Sequence, residues 1–512
     1  MSDPEAGSVD RFAPRGNLRT RAVRGGAVTL GSQGAKLVIQ LASTAVLARL
    51  LTPEDYGAVA MVTALLGFTI LFRDLGLSIA TVQRDRITHE EVSGLFWINV
   101  LSGFVLMLII VGCAPLVAWF YRRSDLLWLT YAYAGIVPIT SLGGQHQALL
   151  QRSMRYGSLA ARDIISLIAG VAAGIVCGYN GLGYWALVIM QATTSVVGVC
   201  ALWWQSGWRP GPPRWAAGLM PLLRFGGTVT LSNVLAFLVQ GLDSILLGHF
   251  VGAGGVGLYN RAQSLLLRPL DQFMPAAMNV ATSAFSRLSS DQPRFERSAL
   301  QLLAMVACVG GWVVTLVMGT APWLVALLLG SRWDAVVPIL TVLALFAFVR
   351  PSASLLGTFL VVRGEPMKVV RWRALSAPVT IAALMAGLPW GPVGVGTMMA
   401  LSGLLVRTPL FFWYASRGLK IAPGRLFRSC LHYVFSGLLA AIVLIQMRVE
   451  WSPEPALLGL VSYAALGTVL YATLVLCRPQ GRALVRDMRA LVGSLLVDRH
   501  KESGKAAAPG VG

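Results

Sequence analysis

Charge is what this chain has least of. Only 12% of its 512 residues are Asp, Glu, Lys or Arg, where soluble domains carry roughly a quarter. With 56% hydrophobic residues beside that shortage, a soluble globular protein is excluded. Acidic residues are the scarcer sign, 22 against 42 basic, for a net charge of +20. In a soluble chain such an excess would suggest nucleic acid, but basic residues also collect in the cytoplasmic loops of membrane proteins, and no nucleic-acid partner is expected. Cysteine is scarce too. The six, Cys113, Cys177, Cys200, Cys308, Cys430 and Cys477, fall in or beside apolar runs without paired spacing. Neither a disulfide framework nor a metal centre is indicated. The glycine runs 252–257 and 391–396 lack the lysine and Ser/Thr of a phosphate loop, and no cofactor is expected. Nor is a cleaved signal legible: the apolar run after Arg24 exceeds the ~7–15 residues of a signal core, so it reads as a retained first span.

What the chain does have is long apolar segments. A criterion of ~20 residues per span gives about fourteen transmembrane helices, an all-α polytopic membrane protein. They lie near 27–51, 56–80, 93–119, 126–150, 161–178, 183–205, 225–250, 256–286, 299–319, 335–361, 369–388, 393–415, 427–447 and 456–477. The loops assigned to the inside carry 31 Lys and Arg, the outside loops four (Arg122, Arg123, Arg332 and Arg448), and the spans seven. That bias predicts both termini in the cytoplasm. After residue 478, Leu484, Met488, Leu491 and Leu495 have amphipathic spacing between arginines, which suits a helix on the inner leaflet.

An internal repeat organises the rest. Gly25-Gly26-Ala27-Val28-Thr29-Leu30 returns as Gly226-Gly227-Thr228-Val229-Thr230-Leu231, and each copy leads to a glycine, Gly57 or Gly257, opening the next span. Six spans separate the copies, so both enter the membrane in the same orientation, as in a parallel repeat of two six-helix halves around a central cavity. The expected division is a basic N-terminal segment at 1–24, a first half at 25–205, a linker at 206–224 and a second half at 225–415. Two additional helices at 427–477 and a tail at 478–512 complete it.

Ionisable groups within spans mark functional sites by default. The first span carries a polar stripe, Thr29, Gln33, Lys36, Gln40 and Ser43 or Thr44, at helical spacing. The bases inside spans are Lys36, Arg49, Arg73, Arg261, Arg268, Arg350 and Arg407; the acids are Asp74, Asp243 and Asp271. Arg49, Arg350 and Arg407 lie towards span ends, where they can snorkel. Arg261 and Arg268 are seven apart on one face of the eighth span, with Asn260 beside them and Asp271 within i+3 reach of Arg268. Any one of these groups serves equally well as an interhelical ion pair. As a set, seven bases to three acids suit an anionic cargo, for which arginine offers bidentate phosphate contacts.

LLTPEDYGAVAMV, then FRDLGLSIATVQRDRITHEEVSGLFWINVLSG, then VGLYNRAQSLLLRPLDQFMPAAMNVATSAFSRL and LLGSRWDAVVPILTVLA, together resemble polysaccharide-export proteins of the MOP superfamily. These are Wzx-like flippases of lipid-linked oligosaccharides, related to MATE exporters and lipid II flippases. The resemblance runs over about residues 20–480. It implies a bacterial inner-membrane transporter that carries a lipid-linked repeat unit on undecaprenyl pyrophosphate from inner to outer leaflet by alternating access. On that reading the substrate contacts are Lys36, Arg73, Arg261 and Arg268, with Gln33, Gln40 and Asn260 in the cavity. Asp243, Asp271 and Asp74 are the candidates for coupling to a proton or sodium ion, and membrane lipids and a polysaccharide polymerase or export complex are the further partners. A drug/cation antiporter on the same fold should favour an acidic cavity. A membrane-embedded glycan polymerase should show a large outer loop or outward acidic residues, whereas Glu54, Asp55, Asp125, Asp334, Glu450 and Glu454 are scattered over short loops.

Overall fold

A computed structural model describes residues 18–74, 76–84, 87–213, 220, 241–288, 291–451, 453–484 and 486. Among them the side chains of 18–25, 27, 68–74, 271–273, 275–277, 279–280 and 283–284 are not described. The described residues form helices joined by short connections. The helices are α1 (Leu18–Leu50), α2 (Pro53–Asp74), α3 (Leu77–Gln83), α4 (His89–Tyr121), α5 (Asp125–Ser141), α6 (Gly144–Arg152), α7 (Tyr156–Tyr179) and α8 (Trp185–Ser206). They continue with α9 (Leu242–Phe250), α10 (Ala253–Leu288), α11 (Gln292–Leu328), α12 (Val336–Leu343), α13 (Phe346–Val362), α14 (Pro366–Gly387) and α15 (Gly391–Leu401). A π-helical turn at Ser402–Arg407 leads into α16 (Thr408–Leu419), and α17 (Pro423–Glu450) and α18 (Ala456–Leu476) follow.

Among the described residues each expected span coincides with one helix or with a helix broken once, as α2–α3 is broken at the left-handed Gly76 (φ 67°); of the seventh span only residues 241–250 are described. Among the described residues nine helical stretches are long and apolar enough to cross a membrane. One of them, Pro366–Leu419, holds two of the expected spans. Beyond these nine stand the first and eighth spans, which are long helices interrupted by polar side chains, and the second and seventh, which are described only in part. The chain is therefore a multi-pass membrane protein. The amphipathic tail helix, from residue 487 on, and most of the 206–224 linker lie outside the described residues.

Contacts divide the chain into two compact units. One contains residues to Ala276 with Val325–Ile339 and Ala377–Met399; the other contains Ala277–Leu324, Leu340–Ser376 and Ala400 onwards.

Within the first unit, local sequence explains each junction. The Leu-Thr-Pro-Glu-Asp run starts α2 with reciprocal caps: the Asp55 amide donates to Thr52 Oγ1 at 3.2 Å, and the Thr52 amide and hydroxyl donate to Asp55 Oδ2 at 2.9 and 2.7 Å. Pro53, in the first turn, fits because that position needs no amide donor. Thr88 and Glu91 form the same device at α4, with bonds of 3.2 and 2.9 Å. Arg152 at the end of α6 donates to the carbonyls of Thr81 and Arg84, satisfying the exposed C-terminus of α3.

Small residues then let the helices close. The α7 face Gly170–Gly174–Gly178 lies against α8 and α1: a β-carbon at Gly170 would meet Thr194 Oγ1 at 1.9 Å, and one at Gly178 would meet Leu50 at 3.1 Å. Close backbone approach of this kind drives helix association in lipid, where apolar burial supplies little.

The repeat glycines meet each other. A β-carbon on Gly57 would sit 1.7 Å from the Ala253 carbonyl oxygen, and one on Gly257 would sit 1.8 Å from that of Pro53 and 3.1 Å from the Gly57 nitrogen. The contact is reciprocal: Gly57 meets the residue four before Gly257, and Gly257 meets the residue four before Gly57. Such self-complementary pairing is what a local two-fold crossing of α2 and α10 requires.

The second unit is built around Phe285, Phe295 and Phe359, all buried and in ring contact, with Arg363 over Phe295 at 4.4 Å. Gly311 and Gly437 bring α11 and α17 together, so that Thr315 Oγ1 donates to the Gly437 carbonyl at 3.1 Å. Tyr471 on α18 donates to the Cys308 carbonyl at 2.7 Å, and Tyr463 packs on Trp323.

Candidate functional site

The first unit holds a cavity of about 540 Å³. Its walls come from α1, α3, α4, α5, α6, α7 and α8, and most of its lining is polar. Lys36 and Gln40 enter from α1, Asn99 from α4, Gln147 and Gln151 from α6, Arg162, Asp163 and Ser166 from α7, and Gln191, Thr194 and Ser195 from α8. Helical periodicity explains the α1 contribution, since Lys36 and Gln40 are one turn apart on the polar stripe.

Three charges inside the cavity satisfy one another. Lys36 Nζ donates to Asp163 Oδ2 at 2.8 Å, and Arg162 Nη1 donates to Asp163 Oδ1 at 2.8 Å. The lysine side chain is 19% and the aspartate 30% exposed, enough to remain solvated by a wet cavity. Both neighbours of the Asp163 carboxylate are cationic, so the group as a whole keeps one positive charge. Asn99 is 1% exposed, and its Oδ1 has no hydrogen-bond partner among the described residues.

Among the other sequence-derived candidates, Arg268 lines a narrow crevice with Gln40, Thr44 and Ser264 between α1 and α10. Arg261 stands with its guanidinium 3.7 Å over the Tyr56 ring, a cation–π contact worth about 2 kcal/mol when desolvated. Asp243, in the first turn of α9, accepts from its neighbour's amide at 2.8 Å and from Gln263 Nε2 at 3.1 Å. Asn260 donates to Ser244 Oγ at 3.1 Å and to the Val256 carbonyl. The α9–α10 contact is thus a polar network, with its carboxylate stabilised at a helix N-terminus. Gln33 lies on the α1 stripe with a partner of its own. The side chains of Arg73, Asp74 and Asp271 lie outside the described residues.

Lys36 and Gln40 are thus brought together in one cavity, and Gln40 also faces Arg268. Arg261, Asn260 and Asp243 belong to the α2, α9 and α10 contacts instead. Asp163, Arg162, Asn99 and the three glutamines of α6 and α8 are absent from the sequence-derived set. Arg162 and Asp163 fall at the boundary between a cytoplasmic connection and the fifth span, where charge is ordinary. The glutamines are uncharged and scattered along the chain. A signal was present only for Asp163, which falls within the expected fifth span at 161–178 and is a fourth intramembrane acid beside the three named from the sequence.

The family described as polysaccharide biosynthesis protein matches residues 46–338. The teichuronic acid biosynthesis protein TuaB of Bacillus subtilis is 26% identical over 337 residues, 65% of this chain and 70% of that one. The succinoglycan biosynthesis transport protein ExoT of Rhizobium meliloti is 24% identical over 466 residues, 90% of this chain and 92% of that one. Among solved structures, the lipid II flippase MurJ in an inward closed conformation superposes with a TM-score of 0.68 at 11% identity, over 88% of this chain and 98% of that one. An inward-facing multidrug resistance MATE family transporter of the MOP superfamily gives 0.59 at 17% identity, over 77% and 99%. At those identities the two structures show the fold.

Proposed function

The chain belongs to the polysaccharide biosynthesis protein family, whose match covers more than half of it, and from that premise we propose that it flips a lipid-linked glycan. The cargo is a polysaccharide repeat unit on undecaprenyl pyrophosphate, moved from the inner to the outer leaflet of a bacterial inner membrane by alternating access. It acts as a transporter and not as an enzyme. Both termini lie in the cytoplasm, as the 31-to-4 loop bias requires.

The observation that carries this reading is the 540 Å³ polar cavity inside a membrane helix bundle. Hydrogen-bonding groups at membrane depth are costly unless a hydrated or polar cargo uses them. In the proposed orientation the cavity reaches from the cytoplasmic ends of its helices into the middle of the membrane: Gln151 is next to the last residue of α6, Arg162 is in the second turn of α7 and Leu202 is in the last turns of α8, while Gln40 and Gln191 lie deeper. That is where a glycan assembled in the cytoplasm would enter. Lys36 and Gln40 serve the headgroup, Arg261, Arg268 and Arg73 the pyrophosphate, and Asp243, with Asp271 and Asp74, coupling to a proton or sodium ion. Relatives named for teichuronic acid and succinoglycan biosynthesis support the cargo class.

Deleting the gene should abolish surface polysaccharide while lipid-linked repeat units accumulate on the inner leaflet. Arg261→Ala with Arg268→Ala should impair export at unchanged protein level. Unaltered surface glycan with new drug sensitivity in the deletion strain would instead identify a drug antiporter.

A further inference from the structure

The cavity's chemistry narrows the cargo beyond a lipid-linked glycan. Resting on the flippase reading above, we propose that this cavity recognises an uncharged, hydroxyl-bearing sugar ring of the repeat unit, and neither an acidic sugar nor the pyrophosphate.

The fixed charges are already engaged. Lys36 and Arg162 take one oxygen each of Asp163. The other edge of the Arg162 guanidinium, Nε and Nη2, lies 3.3 and 3.5 Å from the point where Gly198 would carry a β-carbon, so α8 covers it. An acidic group entering the cavity would have to share these two cations with the Asp163 carboxylate, whose like charge opposes its approach.

Apart from Arg162 Nε, buried against α8, and the remaining Lys36 donors, the uncommitted capacity belongs mostly to amides. Among the described residues, no hydrogen bond engages the side chains of Gln40, Gln147, Gln151 or Gln191, all of which line the cavity. Each carries two donors and an acceptor, the complement of a sugar hydroxyl that both donates and accepts. Asn99 adds a fifth amide to the set. Its buried Oδ1 is an acceptor without a partner, and a buried acceptor is costly until a donor reaches it. A hydroxyl supplies that donor; an ionised carboxylate or phosphate cannot. The volume of about 540 Å³ falls within the ~300–1,000 Å³ of small-molecule sites and accommodates one or two sugar rings.

The test uses the full chain in lipid nanodiscs and three probes: polyprenyl pyrophosphate carrying glucose, the same lipid carrying glucuronate, and the bare polyprenyl pyrophosphate. Wild type should bind the glucose lipid at least tenfold more tightly than the bare lipid and more tightly than the glucuronate lipid. Gln147→Ala with Gln191→Ala should weaken the glucose lipid by about tenfold or more and leave the bare lipid within about twofold. If that double variant does not fold, the isosteric Gln191→Glu, which loses the amide donors at constant shape, should weaken the glucose lipid and leave the bare lipid within about twofold. Tighter binding of the glucuronate lipid, or equal losses on all three probes, would overturn the proposal. Binding of none of the three by wild type would instead sink the flippase reading on which it rests.

Discussion

At the scale of single residues, Asp163 is the pivot, because Lys36 and Arg162 both depend on it. Removing Lys36 leaves the carboxylate with one partner; removing Asp163 leaves two cations facing each other across the cavity. The double-mutant cycle of Lys36→Ala and Asp163→Ala should therefore show a coupling of about 1–3 kcal/mol, read from thermal unfolding of the purified variants. Each single substitution should also lower glycan export more than the double does relative to its parents. Strict additivity would mean that the 2.8 Å pair contributes nothing. Arg261 obeys a different rule: its contact is the face of Tyr56, so sequence spacing, which relates it to Arg268 on the same helix, misses its partner on α2.

At the scale of elements, the crossing of α2 and α10 is the most constrained contact in the first unit. Backbone meets backbone there, so no side chain can yield to an added methyl group. Gly57→Ala and Gly257→Ala should each lower the thermal midpoint by several degrees and cost more than the ~1–3 kcal/mol of ordinary overpacking. Gly34→Ala, in a helix with nothing within 4 Å of the added carbon, should instead be neutral or stabilising by up to about 1 kcal/mol. Equal behaviour of the three variants would show that the crossing is looser than the 1.7 and 1.8 Å approaches imply. Gly57 and Gly257, each opening the span after a copy of the repeat, were legible as a pattern. Their mutual contact was not, because a repeat gives orientation and no distance.

At the scale of the whole molecule, the proposed orientation rests on loop charge. With native cysteines replaced by serine, Asn180→Cys should react with a membrane-impermeant maleimide from outside intact cells, and Arg294→Cys should react only after permeabilisation. The reverse pattern would invert the topology and put the cavity in the outer leaflet.

The amino-acid sequence by itself determined the membrane class, about fourteen apolar helical segments and the family, and supplied the proposed direction of each segment. Those properties depend on local sums, such as twenty apolar residues in a row, basic residues counted per loop and a motif read in order, and local sums survive without coordinates. Part of the site was equally local: the α1 stripe carries Lys36 and Gln40 into the cavity because a helix sets their faces by spacing alone. Only the tertiary structure decided what those residues meet. Asp163 is 127 positions from Lys36, and Gln147, Gln191 and Asn99 come from three further helices. No periodicity within one helix encodes the distance to another; that distance is set by where glycine faces such as Gly170–Gly178 let backbones close. The polar first span announced a cavity, and helix packing chose its walls.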